Sequence, residues 1–153
     1  MPAPVIELRD AVADALNVAL APSSFEKRWV AYLKRKDVEE GKWLVTPAGD
    51  DRITAAKAVV KSNLVVDVIW QISLPDSTDA APDPLQNDAW FTAQMDRIET
   101  VKELFATDGD LRDEQFAGFD FFRLTNSPIY RPDLLTDYQI FTSVVRLEFL
   151  GEV

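Results

Sequence analysis

An α+β domain, with a largely antiparallel sheet carrying two amphipathic helices, is the fold class the sequence predicts, on three observations. Two segments space their apolar residues at the helical period, several others alternate at the period of a strand, and the strands come in consecutive pairs with helices between the pairs. The chain has 153 residues, 47% of them apolar. That is enough to bury a full core in one domain spanning residues 1–153.

The first helix is expected over Pro4 to Leu20, where Val5, Leu8, Val12, Ala15, Leu16 and Ala19 share one face and Pro4 suits the first helical position. Pro22-Ser23-Ser24 ends it. Phe25 to Leu33, with Phe25, Trp29, Val30 and Tyr32, and then Trp43-Leu44-Val45, read as two antiparallel strands joined by the polar stretch Lys34 to Lys42. Pro47 to Asp51 reads as a turn or loop. Residues 52–62 fit either a short helix or an edge strand. From Asn63 to Leu74 the alternation is clear: Val66, Val68, Trp70, Ile72 and Leu74 form one face, and Val65, Asp67, Ile69 and Gln71 the other. This is a central strand whose second face is partly covered and would suit a subunit contact.

Pro75 to Asp88, with three prolines and no aromatic residue, is a loop near the upper length of ordinary connections, expected to be functional or mobile. Asp88 is expected to cap the second helix, whose apolar side carries Trp90, Phe91, Met95, Ile98, Val101, Leu104 and Phe105. After an acidic loop from Thr107 to Glu114, Phe116 to Leu124 reads as one strand. Asn126 to Pro128 is a turn, and Arg131 to Asp137 a connection with room for a short extra helix near Pro132. Gln139 to Leu150 closes the chain as a strand with Phe141, Val145, Leu147 and Phe149 on one face.

The chain has no His and no Cys. A thiol nucleophile, a Ser-His-Asp triad, a Cys/His zinc site and a haem axial His are therefore excluded. The glycines stand at 41, 49, 109, 118 and 151, so neither phosphate-cradling glycine motif is present. Asp108-Gly109-Asp110 begins like a calcium loop, but the sixth and twelfth places hold Asp113 and Phe119 instead of Gly and Glu. Asp76, Asp79 and Asp83 also lack the glycine and bidentate glutamate, and a solvated loop accounts for them better. No metal and no cofactor is expected. No apolar run approaches the ~20 residues of a membrane span, and Met1-Pro2-Ala3-Pro4 does not look like a signal peptide. A cytosolic chain with no membrane partner is the expectation.

Two-carboxylate acid-base catalysis survives the missing histidine. Its first suspect is Asp67, since a partly buried carboxylate among apolar neighbours is the kind whose pKa rises. The alternative for Asp67 is a structural carboxylate paired with Arg or Lys, and Trp29, Trp43, Trp70 and Trp90 read as core or contact residues before any sugar platform.

The net charge is -10 and is unevenly spread. Residues 1–75 carry ten basic and ten acidic groups, while residues 76–153 carry 6 basic and 16 acidic ones, so the whole excess lies in the second half. A chain of this acidity is not a general nucleic-acid binder. The polarity is either a solvated surface or an assembly device, in which basic groups such as Arg52, Lys57 and Lys61 of one copy meet acidic ones such as Asp76, Asp79 and Asp83 of the next in a head-to-tail ring, with Asp67 on the second face of the central strand as a further interface candidate that needs a cationic partner.

The strand, turn and V-D-V strand of Val45 to Ile72 (VTPAGDDRITAAKAVVKSNLVVDVIWQI), the helix Asp96 to Phe105 (DRIETVKELF), the final strand Phe141 to Gly151 (FTSVVRLEFLG) and a first helix of the IELRDAVADALN kind together carry a likeness. In this layout the chain resembles the tail terminator and tail completion proteins of the neck in tailed bacteriophages. The resemblance implies a non-enzymatic virion protein, assembled in the host cytoplasm as a ring, often of six copies. Such a ring completes the tail tube and meets both the tail tube protein and the head connector, with DNA passing through its lumen. The proline-rich acidic loop and the segment Thr107 to Leu124 go beyond that family's layout. A small enzyme built on Asp or Glu, and an acidic binding or inhibitor module, are the alternatives.

Overall fold

The computed structural model describes residues 3–56 and 59–152, with side chains of residues 53–60 left aside. Helix α1 (Pro4–Ala19) opens on Pro4 and buries Leu8, Val12, Ala13 and Leu16. It is followed by β1 (Phe25–Lys27), β2 (Lys42–Ala56), β3 (Val59–Ser73), α2 (Asp88–Leu104), β4 (Gln115–Phe116), β5 (Phe119–Thr125), α3 (Pro132–Tyr138) and β6 (Ile140–Glu152). The strands form one six-stranded sheet in the order β1-β2-β3-β6-β5-β4.

The α+β class stands, but the sheet is mixed and three α-helices accompany it where a largely antiparallel sheet with two was expected. Strand β1 runs parallel to β2, with Phe25 beside Trp43, so the expected antiparallel pair at this place is corrected. The reason lies in the connection. The chain between them runs from Arg28 to Gly41, long enough for the crossover that parallel strands require. Asn17 of α1 pins the start of the short β1: the Asn17 amide accepts from Phe25 N at 2.6 Å and donates to Phe25 O at 3.3 Å.

Three further expectations change. Pro47 to Asp51 is not a loop but part of β2, which absorbs Pro47 and Gly49 in a bulge while its ladder to β3 continues on both sides. Phe116 to Leu124 is a hairpin, not one strand: Ala117 and Gly118, with φ of 52° and 85°, make the two-residue turn between β4 and β5. The cap of α2 is Asn87, one residue before the expected Asp88, and its side chain accepts from Trp90 N at 3.2 Å. The short helix near Pro132 forms as α3. Residues 52–56 and 59–62 are extended.

Alternation then divides the sheet into two faces. Trp43, Val45, Leu64, Val66, Val68, Trp70, Phe141, Val145, Leu147 and Phe149 belong to the main core, which also takes Leu8, Val12 and Leu16 of α1 and Ile98 and Val101 of α2. At one end the other face is covered by the segment Arg28–Gly41. There Gln71, fully buried, accepts from Tyr32 N at 2.7 Å and donates to Tyr32 O at 3.0 Å and to Thr142 Oγ1 at 3.1 Å. A side-chain amide thus replaces a neighbouring strand for Tyr32 and holds the crossover down.

Candidate subunit interface

Beyond that segment the second face carries a polar ladder built across three strands, beside Ser127, Pro128 and Arg131. Register places Asp67 of β3 opposite Arg146 of β6, and Arg146 beside Thr125 of β5. Arg146 Nε and Nη2 donate to Asp67 Oδ1 and Oδ2 at 2.9 and 3.1 Å, and the Asp67 side chain is only 13% exposed. The bond to Asp67 is the main reason the Arg146 pKa lies above its ordinary value. One row on, Arg123 Nε donates to Glu148 Oε2, and Asn63 Nδ2 donates to Glu148 Oε1 at 3.4 Å. The Arg123 bond, more than burial opposes it, lowers the Glu148 pKa. Asp67 is therefore half of a two-pronged ion pair.

The remaining candidates do not converge. Arg52 is exposed near the far end of β2 and pairs with Asp50 at 3.0 Å within its own strand. Lys61 is exposed at the start of β3, with Glu152 as its register neighbour on β6. Lys57 lies outside the described residues. Asp76, Asp79 and Asp83 are exposed beyond the other end of β3; Asp76 meets Arg35 at 3.2 Å, and Asp83 accepts from Leu85 N at 3.0 Å. From Lys61 to Ser73 the strand climbs roughly 40 Å, at about 3.3 Å per residue. The basic and acidic groups thus stand at opposite ends of the sheet. Among the described residues no three acidic side chains converge as metal ligands would, and no helix is long and apolar enough to cross a membrane.

Sequence reasoning missed the exposed apolar group that follows β1. Trp29 and Val30, expected within a strand, are 68% and 66% exposed, and Leu33 is 53% exposed. Arg28 N donates to Val45 O, so Trp29 and Val30 stand where the chain leaves the edge of the sheet. Arg9 and Arg28 brace this bend. The Arg9 guanidinium lies 5.5 Å from the Trp29 ring and donates to Arg28 O at 3.1 Å, and Arg28 stacks on Tyr32 at 3.8 Å. The available signal was that Trp29 to Leu33 is nearly all apolar without alternation, which no half-buried strand needs. The ladder partners Arg146 and Glu148 were also missed, though they are the charged positions two apart in an otherwise apolar closing strand.

No model of a known protein family matches the chain, and no curated protein matches it.

Proposed function

We propose that this chain is a structural protein of the bacteriophage neck that works by assembling into a ring, completing or terminating the tail tube and joining it to the head connector. The observation that carries the reading is the set of exposed apolar side chains, Trp29, Val30 and Leu33, on the segment that leaves the edge of the sheet after Arg28. Apolar side chains grouped in this way mark a surface that another protein covers. The layout of hairpin, helix and closing strand described for the neck proteins supports the choice of family. In this reading the partners are further copies of the same chain, the tail tube protein and the connector. The protein resides in the virion, no membrane is involved, and DNA passes through the ring without being read.

The Asp67–Arg146 pair argues for a structural use of Asp67 over catalysis, since both carboxylate oxygens are engaged by one guanidinium. Solution mass measured across a concentration series, together with negative-stain images, tests the proposal. Closed rings or short tubes are expected. A strict monomer at every concentration would overturn it.

A further inference from the structure

The sheet ends in two partly open edges, and their geometry points to how copies join. On one side β1 covers β2 only from Trp43 to Val45, so beyond Thr46 the outer edge of β2 has no strand beside it. On the other side β4 covers β5 only at Phe119 and Asp120, which leaves the outer edge from Phe121 to Thr125 without one. No backbone hydrogen bond among the described residues fills either stretch.

These two edges stand at the same height. Thr46 pairs with Asp67, Asp67 with Arg146 and Arg146 with Thr125; Asp50 pairs with Leu64, Leu64 with Phe149 and Phe149 with Phe121. The edges also have opposite polarity, because β2, β3, β6 and β5 alternate in direction at every step. When a copy is carried sideways along the sheet without inversion, the β5 edge of one therefore meets the β2 edge of the next as an antiparallel pair. We infer that neighbouring copies join by this pairing, segment 46–50 of β2 against segment 121–125 of β5, in a heterologous contact that closes after a fixed number of copies.

Two features of the edges fit a second copy of this chain as the occupant. Each edge carries apolar area at its side: Trp29 and Val30 beside β2, and Phe122 of β5 with Leu150 of the adjacent β6, 45% and 42% exposed. Asp51 of β2 lies on the same face as Arg123 of β5, and both are exposed, so unlike charges come to one face of the junction. Pro47 and the bulge after it remove one donor and twist the strand locally, which restrains open-ended stacking of edges. In such a ring the strands run broadly along the axis. The Arg52 and Lys61 end and the Asp76, Asp79 and Asp83 end then become the two faces of the ring, and charge acts between the ring and what stacks on it.

The inference rests on the ring reading for its partner, and cross-linking separates the two. The chain has no cysteine, so introduced ones are unique. Asp51→Cys and Phe122→Cys are made singly and together, with Thr125→Cys as a second choice on β5, and treated with a short bismaleimide. A mixture of the β2 and β5 single variants is expected to yield a dimer that neither yields alone, and the double variant a ladder ending at the closed ring. Dimers from Asp51→Cys alone would show a two-fold contact and overturn the inference. Rings seen by microscopy without any β2-to-β5 cross-link, from either β5 position, would overturn it while leaving the ring reading intact. A monomeric double variant with the far-ultraviolet spectrum of the parent, alongside a monomeric parent, would sink both.

Discussion

Replacing Gln71 by Leu should detach the crossover from the sheet, because this buried amide makes three hydrogen bonds, two of them to the backbone of Tyr32. A protein hydrogen bond contributes about 0.5 to 1.5 kcal/mol net, so three give roughly 1.5 to 4.5 kcal/mol. Tyr32 is only partly buried, and water can reach its backbone once the amide is gone, which places the expected loss at about 2 to 3 kcal/mol. Leu keeps the apolar volume, so little of that loss comes from a cavity. Urea unfolding gives the total, and amide hydrogen exchange gives the place: Tyr32 N–H should be protected in the parent and exchange far faster in the variant. Since Trp29 and Val30 sit on the same segment, oligomers should also weaken. Unchanged protection at Tyr32 together with a stability loss below about 0.5 kcal/mol would refute the reasoning, because the amide would then not be what holds the segment.

Other outcomes follow from the same structure. Glu148 has a lowered pKa in the folded chain, so its contribution to stability is complete above the ordinary carboxylate value and is lost as pH falls through the lowered one. Glu148→Gln should accordingly flatten the acid limb of a stability-against-pH curve, and an unchanged limb would count against the ladder. Gly41 has φ of 85°, and a Cβ there would collide with the Trp70 indole, so Gly41→Ala should cost roughly 2 to 5 kcal/mol by urea unfolding. A variant within 0.5 kcal/mol of the parent would mean that the turn relaxes freely. The exposed loop between Leu74 and Asp88 should be the first site of limited proteolysis in the isolated chain, and a chain first cut elsewhere would mean that the loop is held more firmly than its three prolines and exposure imply.

The alternation of Val66, Val68 and Trp70, the helical spacing of Leu8, Val12 and Leu16, and the proline-rich break after Leu74 were legible in the chain, because each depends on side-chain period or local backbone chemistry alone. The direction of β1 was not. Phe25 to Lys27 carries no mark of whether its partner runs with it or against it; the crossover from Arg28 to Gly41 allows the parallel direction, and Gln71, 39 positions from Tyr32, holds that crossover on the sheet. Pro47 and Gly49 read locally as a turn, yet β3 beside them supplies a ladder long enough to carry β2 through a bulge. Asp67 announced itself as a covered carboxylate, but only the register against β6 supplied Arg146, 79 positions away, and made it an ion pair. The uneven charge was plain in the composition. That Arg52 and Lys61 stand toward one end of the sheet and Asp76, Asp79 and Asp83 beyond the other, while the open edges lie between them, is set by how the strands stack, and no single segment contains that information.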